Sequence, residues 1–485
     1  MTEQTTDDVA RRAADAYPAT SHAAPAVRAD ALRRAAATLG DHADDLVALA
    51  QEETGLAEAR LRGELTRTRV QLRLFAHVAQ DGTYLDARLD EADPDFVLGP
   101  RPDLRRTLWP VGPVLVFAAS NFPFAFSVAG GDTAAALAAG CPVVVKAHPG
   151  HPRLSERVAE LVSGALVQAG LPDGALQLVA GQEAGVALLE HPAVRAAAFT
   201  GSQRVGQLLA ARAAARPDPI PFHGELGSVN PVLVSAAALR ERGDELLAAY
   251  VGSVSGSAGQ LCTKPGFLLV PEGSADDDAV VAAASAVAEH RLLNPAVADG
   301  YAARVGEALG ADGVRVVHAG HLRRDADGQG WVTPTIAAAP LSAVRAAGRA
   351  LLDEVFGPFS VVVEYPEGTD LADVVAELFP GNLTVTLHLG AGEDAPVDRL
   401  ARHAGRLLFG GWPTGVSVTP AMQHGGPWPA TTADATSVGT AAIGRFLRGV
   451  TYQDAPQSLL PPPLRDDNPW DVPRTLSPRG ASARW

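Results

Sequence analysis

A cysteine in a loop of small residues is the residue of this chain whose type and setting best suit covalent chemistry. Cys262 is one of two cysteines and lies in the stretch 255–265, SGSAGQLCTKP. The small residues leave room for a ligand, and the nearby Lys264 suits an ionised thiolate. A lone cysteine is more often apolar packing, which is how we interpret Cys141 at the start of CPVVVK. Cys262 is therefore the candidate nucleophile.

A nucleophile of this kind needs a base and a donor for the oxygen that becomes negative. Glu225 lies in HGELGSVNP at an expected domain junction, where partial burial would raise its pKa toward that of a general base. Asn121 follows a buried strand in SNFPF, where its amide can donate to an oxyanion. Each also has an ordinary explanation, which is a surface turn for Glu225 and a turn or helix cap for Asn121.

Three further stretches carry polar residues where an α/β sheet would bind a dinucleotide. VVVKAHP places Lys146 at the carboxyl end of a strand. FTGSQRVG places Gly201 and Ser202 before a helix N-terminus that can receive a pyrophosphate. DEVFGP places Glu354 and Phe356 before a Gly-Pro turn, as a ribose acceptor beside an aromatic wall. Each stretch also has an ordinary explanation, which is a solvated side chain for Lys146, a sterically required Gly-Ser turn for FTGSQRVG and an ordinary loop for DEVFGP. The usual dinucleotide motif G-x-G-x-x-G does not follow the first strand.

Composition excludes several classes of protein. The formal net charge of -15 argues against nucleic acid and anionic membranes as partners. Two cysteines cannot form a disulfide framework, and the first residues have neither the basic nor the apolar region of a signal peptide, so we expect a reduced, cytoplasmic protein. The 13 histidines include no His-x-x-x-His on a helix, so no metal site is predicted. The missing G-x-S-x-G argues against a serine hydrolase.

The elements that must position these residues follow an α/β pattern. Residues 2–79 show apolar side chains at three- and four-residue spacing, which predicts helices. Buried strands and Ala-rich helices then alternate from residue 111 onward, which is typical of a doubly wound parallel sheet, and a second such region runs from about 230 to 428. A proline-interrupted, charged segment at 92–110 predicts an exposed hairpin that invites pairing with another subunit.

Taken together, the motifs resemble the aldehyde dehydrogenase superfamily over nearly the whole chain. They are centred, in this order, on Asn121, Lys146, the FTGS turn, Glu225, Cys262 and Glu354. The stretches VVVKAHPGHP, ELGSVNP, GQLCTKPG, QHGGPWPATT and LLPPPLRDDNP most resemble the subgroup of α-ketoglutarate semialdehyde (2,5-dioxopentanoate) dehydrogenases and NADP-dependent fatty aldehyde dehydrogenases.

The resemblance implies a domain organisation. We expect a Rossmann-type cofactor domain at 1–91 and 111–227 and an α/β catalytic domain at 228–430. An oligomerisation arm is expected at 92–110 and 444–455, and a wrapping or loosely ordered tail at 456–485. The protein is then a homodimer or homotetramer.

The resemblance also implies roles for the candidate residues. Cys262 attacks the aldehyde carbon, and Asn121 with the backbone N–H of Cys262 holds the oxyanion. After hydride transfer to the nicotinamide, Glu225 activates the water that hydrolyses the thioester, so that the product is a carboxylic acid.

The cofactor residues follow from the same resemblance. Lys146 and Glu354 hold ribose hydroxyls, Gly201 and Ser202 lie at the pyrophosphate, and Phe356 packs near the nicotinamide ribose.

Cofactor choice depends on two departures from relatives. Many NAD-preferring relatives have a glutamate where this chain has Pro149, so the repulsion of a 2'-phosphate is absent, and Lys146 with His148 favours NADP. The loop VAGQEAG is shorter than in NADP-binding relatives and lacks an arginine that some of them use. We expect NADP, with NAD as the alternative.

Substrate choice depends on the helix LTRTRVQLRLF, which lines the substrate entrance in relatives. Arg67 on this helix and Phe122 are the expected substrate contacts. Arg67 would pair with the distal carboxylate of α-ketoglutarate semialdehyde, or it is a solvated helix residue. The alternatives are a fatty or other aliphatic aldehyde, which predicts an apolar tunnel, an acylating enzyme that transfers to coenzyme A, which Glu225 argues against, and a catalytically silent cofactor-binding homologue.

Overall fold

Four helices form the first part of the chain in the computed structural model, which describes residues 5–433 and 435–484. The outermost residues of the predicted ranges 1–91 and 456–485 therefore lie outside the described residues. The helices are α1 Thr6–His22, α2 Pro25–Asp41, α3 Ala43–Thr54 and α4 Glu58–Asp81. The apolar faces of α2, α3 and α4, including Leu32, Leu39, Leu72 and Phe75, are buried in one core with helices of the first sheet. Helix α1 packs through Val9, Ala10 and Ala13 in a separate cluster. Within the described residues, no helix combines the length and apolar character needed to cross a bilayer.

A five-stranded parallel sheet follows two strands that belong to a different sheet, β1 Ala87–Asp90 and β2 Leu104–Pro110. Its strands are β3 Val114–Phe117, β4 Val143–Lys146, β5 Leu176–Val179, β6 Ala196–Thr200 and β7 Phe222–Glu225, in the order β5-β4-β3-β6-β7. The helices between them are α5 Gly131–Ala139, α6 Pro152–Gln168, α7 Gln182–Glu190 and α8 Gln203–Ala214. Buried Val and Ala runs explain why these strands accept helices on both faces. The predicted doubly wound sheet is confirmed.

The strand order of this sheet reverses between β3 and β6. From β3 the chain extends the sheet to one side through β4 and β5, and then returns to the other side with β6 and β7. Such a reversal opens a ligand crevice at the carboxyl ends of the strands. Asn121 follows β3 and Gly201 follows β6, so both lie at this crevice.

A seven-stranded sheet forms the second α/β region, in the order β11-β14-β15-β9-β8-β16-β17. Its first elements are β8 Val232–Val234, α9 Ala236–Ser255, β9 Phe267–Pro271, α10 Asp277–Ser285, β10 His290–Arg291, α11 Pro295–Leu309, β11 Arg315–His318, β12 Leu322–Arg324 and β13 Gly330–Val332. The remainder are β14 Thr335–Pro340, α12 Leu341–Ala347, α13 Arg349–Leu352, β15 Phe359–Tyr365, α14 Leu371–Leu378, β16 Asn382–His388, α15 Val397–Leu400 and β17 Ala404–Phe409. All pairs in it are parallel except β11 with β14, and β10, β13 and β12 form a small separate sheet.

A four-stranded sheet, which we call the arm sheet, contains β1, β2 and the last two strands, β18 Leu447–Gln453 and β19 Arg474–Ser477. The segment 92–110 is one limb of a hairpin, since β2 pairs antiparallel with β1 as well as with β18. The sheet extends past the expected arm at both ends, because β1 precedes residue 92 and β19 lies in the tail. Leu460 and Leu464 of the tail cover Ala87 and Leu89, which orders this part of the tail.

Candidate active site

The loop before Cys262 is strained and closely packed. Ser257, Ala258 and Gly259 have φ values of 52, 56 and 64° in the 3-10 turn that follows α9, a left-handed backbone that disfavours L-residues by roughly 1–2 kcal/mol each. A Cβ on Gly259 would lie 2.3 Å from the carbonyl carbon of Gly357. This glycine therefore lets the loop dock on the turn that follows Glu354.

Asn230 fixes the other side of the nucleophile loop. Its fully buried Nδ2 donates to the carbonyl oxygens of Cys262 at 2.8 Å and Lys264 at 3.1 Å. Its Oδ1 accepts from the backbone N–H of Thr384 at 3.2 Å. The amide thus joins the Cys262 loop to β16 and sets the backbone at the nucleophile.

Two hydrogen-bond donors border Cys262. Asn121, 8% exposed, donates through Nδ2 to the carbonyl oxygen of Gln260 at 3.1 Å, two residues from the cysteine. The Gln260 side chain is itself held, because its Oε1 accepts from the N–H of Leu293 at 2.8 Å. Among the described residues, the backbone N–H of Cys262 has no hydrogen-bond acceptor. An amide and a free N–H are the donors that an oxyanion on a substrate at Sγ requires.

Glu225, His424 and Cys262 converge at the end of β7. His424 Nε2 lies 3.6 Å from Cys262 Sγ and 2.9 Å from Glu225 Oε1, and the three ligand atoms lie within 4.8 Å of one another. The Ser437 hydroxyl donates a short hydrogen bond to Glu225 Oε2. Glu225 and His424 are 4% and 1% exposed, so the cluster is buried except at Cys262, which is partly exposed.

The pKa of Glu225 shifts in the direction opposite to our expectation. Burial raises it, but the contacts with His424, Ser437 and Cys262 outweigh burial, and the pKa lies below its usual value. The expected rise is therefore wrong. Glu225 is therefore ionised at neutral pH, which is the form that a base requires, although the low pKa makes it a weaker base.

The expectation of an ionised Cys262 is also wrong for this state of the protein. Burial raises the pKa of the Cys262 thiol well above its usual value, and the charges of Glu225 and Glu354 raise it further. Lys264 does not offset this rise in the pKa of Cys262, because its Nζ donates to the carbonyl oxygen of Phe359 at 2.6 Å. Cys262 is thus a thiol beside an ionised carboxylate.

Lys146 is the last residue of β4, and His148 lies just beyond it. Burial lowers the pKa of Lys146, whose side chain is partly exposed. Burial, and then the charges of His151 and Lys146, lower the pKa of His148 to about 3. The ring of His148 is therefore neutral, and since Nδ1 accepts from the N–H of Gly150 at 3.0 Å, Nε2 carries the proton.

The turn after β6 brings Gly201 and Ser202 to the N-terminus of α8. A Cβ on Gly201 would lie 2.6 Å from the Phe199 ring, so a larger residue at this position would clash with Phe199. The Ser202 hydroxyl caps α8 by accepting from the N–H of Val205 at 3.4 Å, and both residues are exposed.

Glu354 and Phe356 lie across the crevice, both partly buried. A Cβ on Gly227 would lie 2.1 Å from Glu354 Oε2, so the absence of a side chain at Gly227 makes room for this carboxylate. Burial raises the pKa of Glu354 to about 7, against the opposing charge of Lys264.

A cavity of about 690 Å³ lies at the N-terminus of α7, near Lys146. It is lined by Gly181, Gln182, Glu183, Val186, Ala187 and Glu190. It lies beside the carboxyl ends of the strands of the first sheet, where α/β sheets bind ligands.

Arg67 and Phe122 form the opposite side of the Cys262 cleft. The Arg67 guanidinium lies 5.6 Å from the Phe122 ring centre and 5.1 Å from that of Phe126. Its Nε is buried and has no hydrogen-bond partner among the described residues. Its charge interacts with those of Cys262 and Glu225. Arg67 is thus packed in the cleft, and the alternative of a solvated helix residue is wrong.

The same face of α4 carries a second arginine and a buried carboxylate. Arg60 donates to the Asn121 carbonyl oxygen at 2.6 Å. Glu64 Oε1 accepts from the N–H groups of Phe124 at 2.7 Å and Ala125 at 3.0 Å. Helix α4 therefore positions the loop that carries Asn121 as well as facing the cleft.

Comparison with known proteins agrees with this geometry. The model of the aldehyde dehydrogenase family matches residues 1–377. The chain belongs to this family.

Two curated relatives of this aldehyde dehydrogenase have related names. It is 45% identical over 479 residues to alpha-ketoglutaric semialdehyde dehydrogenase 2 of Azospirillum brasilense, covering 96% of this chain and 89% of the relative. It is 40% identical over 489 residues to alpha-ketoglutaric semialdehyde dehydrogenase of Acinetobacter baylyi, covering 98% and 92%.

Solved structures share the fold. The methylmalonate-semialdehyde dehydrogenase of Oceanimonas doudoroffii matches with a TM-score of 0.76 and 21% identity over 93% of this chain and 90% of the other. Proline utilization A of Bradyrhizobium japonicum matches with a TM-score of 0.78 and 25% identity over 93% of this chain, which spans 45% of that protein. The predicted family, enzyme class and α/β fold are confirmed.

Sequence reasoning missed several polar residues of this aldehyde dehydrogenase's site. His424 and Asn230 lie in QHGGPWPATT and ELGSVNP, which were singled out as motifs without a role for either side chain. Ser437 gave no signal, because a serine in a polar stretch is common and its partner Glu225 is distant in the chain.

Proposed function

We propose that this protein oxidises α-ketoglutaric semialdehyde to the corresponding carboxylic acid, 2-oxoglutarate, with NADP as the preferred cofactor. The observation that carries the proposal is the convergence of an ionised carboxylate, a thiol and two oxyanion donors at Cys262. The names of two relatives, at 45% and 40% identity, support the substrate.

The first step is attack by Cys262. Glu225, whose pKa is held low, accepts the thiol proton, within the 4.8 Å cluster that also contains His424. The sulfur then bonds to the aldehyde carbon, and the carbonyl π electrons move to oxygen. Asn121 Nδ2 and the Cys262 N–H stabilise that oxyanion, and loss of one such donor typically costs about 10²–10³ in rate.

The second step releases the product. A bound nicotinamide dinucleotide would supply the hydride acceptor that converts the adduct on Cys262 to an acyl thioester. Once Glu225 has released the thiol proton to solvent, it takes a proton from water, whose oxygen attacks the thioester carbon, and the Cys262 sulfur leaves with that proton. His424 and Ser437 hold the carboxylate in place for both proton transfers. Because the acceptor is water, the product is a free acid.

Cofactor preference is proposed from the end of β4. Pro149 brings no negative charge to the position where an acidic residue would repel a 2'-phosphate. Lys146 supplies a positive charge, and neutral His148 supplies a hydrogen-bond donor at Nε2. NAD lacks the phosphate that these groups would bind, and it remains the alternative cofactor.

Substrate choice is proposed from Arg67. A five-carbon semialdehyde carries a carboxylate at the end opposite the aldehyde, and the unpartnered Nε of Arg67 beside Phe122 offers it a charge-assisted hydrogen bond. The apolar residues near it, among them Phe126, Val418 and Met422, would suit the aliphatic chain of a fatty aldehyde. A long apolar chain leaves the Arg67 donor unpaired, which disfavours it.

The arm sheet is proposed to join subunits into a homodimer or homotetramer. β18 is an edge strand with one side unpaired within the chain, and edge strands invite pairing with another chain. Val97, Leu98 and Leu476 are 70, 87 and 63% exposed on the same part of the molecule. Light scattering of the purified protein tests this, and a monomeric mass would contradict it.

One substrate panel tests the function. α-Ketoglutaric semialdehyde, straight-chain aldehydes from propanal to decanal, and both cofactors are assayed by the absorbance of the reduced cofactor. We expect the highest kcat/KM with the semialdehyde and NADP, and free acid as product whether or not coenzyme A is present. Acyl-CoA formation would favour an acylating enzyme, and cofactor binding without turnover would favour a silent homologue.

A further inference from the structure

The atoms at the reacting centre have the geometry of a metal site that the sequence did not predict. In a tetrahedral zinc site, metal–ligand distances of about 2.0–2.3 Å place a sulfur and a nitrogen ligand about 3.5 Å apart. Cys262 Sγ and His424 Nε2 already lie 3.6 Å apart. Glu225 Oε1 lies 2.9 Å from Nε2, and all three atoms lie within 4.8 Å of one another. Side-chain shifts of a few tenths of an ångström to about 1 Å complete the tetrahedron.

A second observation indicates that this cluster has room for a ligand. Glu225 is 4% exposed, and among the described residues its Oε1 has no well-aligned hydrogen-bond donor, although His424 Nε2 lies 2.9 Å away. A buried carboxylate oxygen without a donor is costly. A cation placed among the three atoms would satisfy it.

One of these ligands is held by a residue behind it. The Ser437 hydroxyl donates to the second oxygen of Glu225, and such contacts fix the orientation of metal ligands. The backbone N–H of His424 donates to Thr436 Oγ1 at 2.8 Å, which fixes the main chain at this residue.

We propose that Cys262, His424 and Glu225 bind a thiophilic divalent cation of the Zn²⁺ class, and that this cation inhibits the enzyme. Thiolate, imidazole and carboxylate form a donor set that zinc accepts and that Mg²⁺ and Ca²⁺ do not favour. Binding replaces the thiol proton, which is released to solvent, so that one thiolate and one carboxylate neutralise the two charges of the metal. Water takes the fourth position.

Inhibition follows because the metal occupies the electron pair with which the sulfur would attack. The inhibition is competitive with aldehyde. This part rests on the proposed function, whereas the binding of the metal does not.

The test uses the full-length, tag-free, reduced protein titrated with Co²⁺ and then Zn²⁺. We expect one Co²⁺ per chain with a thiolate-to-cobalt charge-transfer absorption, which Zn²⁺ abolishes, and a loss of aldehyde oxidation that EDTA reverses. His424→Ala and Glu225→Gln should each weaken Co²⁺ binding by about tenfold or more. His77→Ala removes an exposed histidine and Cys141→Ala the other thiol, and both should bind like the wild type.

The outcomes separate this site from the proposed function. No charge-transfer absorption in the wild type, or wild-type affinity in both His424→Ala and Glu225→Gln, would overturn the site. Glu225→Gln is nearly isosteric, so it keeps the test valid if His424→Ala fails to fold, as near-ultraviolet circular dichroism will show. Metal binding without any aldehyde oxidation would support the metal site and contradict the proposed function. Aldehyde oxidation without metal binding would support the proposed function and contradict the metal site.

Discussion

Asn230 and Arg67, on opposite sides of the cleft at Cys262, differ in how completely their polar groups are satisfied. Asn230, on the side of the nucleophile loop, uses both ends of its amide, on Cys262, Lys264 and Thr384. Arg67, on α4, has a buried Nε with no acceptor among the described residues.

This difference separates the residues that hold the chemistry from those that choose the substrate. Fully paired groups have no capacity left for a ligand, so they serve to fix geometry. Unpaired buried donors are costly until a ligand with an acceptor arrives, so they provide specificity. Substitution of a residue that fixes geometry should lower the rate with every aldehyde, whereas substitution of a residue that provides specificity should affect only the aldehyde that it binds.

The largest effect is expected at the nucleophile itself. Cys262→Ser should lower kcat/KM by about 10³-fold or more, because a serine hydroxyl in this site is a much weaker nucleophile than the thiolate. Steady-state rates measure this. Cys141→Ala is the matched control, since burial raises the pKa of that thiol to about 12 and it has no role in the cleft. A comparable loss in both variants would contradict the assignment.

The next effect concerns the geometry of the nucleophile loop. Asn230→Ala leaves buried carbonyl groups unpaired, and a displacement of about 1 Å at a nucleophile can cost 10²-fold in rate. We expect kcat to fall by about that factor for charged and neutral aldehydes alike. Asn468→Ala, which removes hydrogen bonds to Val472 within the tail, should leave kcat unchanged. A substrate-dependent effect of Asn230→Ala would remove the distinction between the two sides.

Substitution on the α4 side should instead depend on the substrate. Arg67→Met removes a charge-assisted hydrogen bond, worth about 1.5–3 kcal/mol, and should raise KM for α-ketoglutaric semialdehyde roughly 10–100-fold. KM for pentanal, which has no carboxylate, should not rise. Arg62→Met on the exposed face, where Arg62 pairs with Glu58 and Asp44, is the control. Equal losses for both aldehydes would show that Arg67 has only a packing role.

The smallest effect is a pH dependence of cofactor binding. Since burial raises the pKa of Glu354 to about 7, the carboxylate is ionised at pH 8 and largely protonated at pH 6. A ribose hydroxyl donates more strongly to the ionised form, so Kd should be about two- to tenfold larger at pH 6 than at pH 8. Fluorescence titration with NADH avoids the 2'-phosphate, which titrates near pH 6. Glu354→Gln should give a pH-independent Kd.

The sequence predicted best what depends on local pattern and least what depends on distant contacts. Alternating buried strands and helices are local, so both α/β regions were predictable, and the glycine-rich loop identified Cys262 as the candidate nucleophile. The pKa direction of Glu225 was not predictable, because it depends on His424 and Ser437, which only the fold brings to β7. That of Cys262 was not either, because it depends on burial and on the charges of Glu225 and Glu354. The sequence left a wrapping and a loosely ordered tail as alternatives, because the pairing of β19 with β1 joins distant parts of the chain.

The most direct test of the central claim is to trap the thioester. In Glu225→Gln, water activation is lost, and attack by Cys262 continues slowly through the small thiolate fraction. We expect a single burst of reduced cofactor, no more than one per site, and a mass increase on the Cys262 peptide equal to the acyl group of α-ketoglutaric semialdehyde. Hydroxylamine should remove this mass. Steady turnover at the wild-type rate in Glu225→Gln, or an acyl group on a residue other than Cys262, would contradict the account.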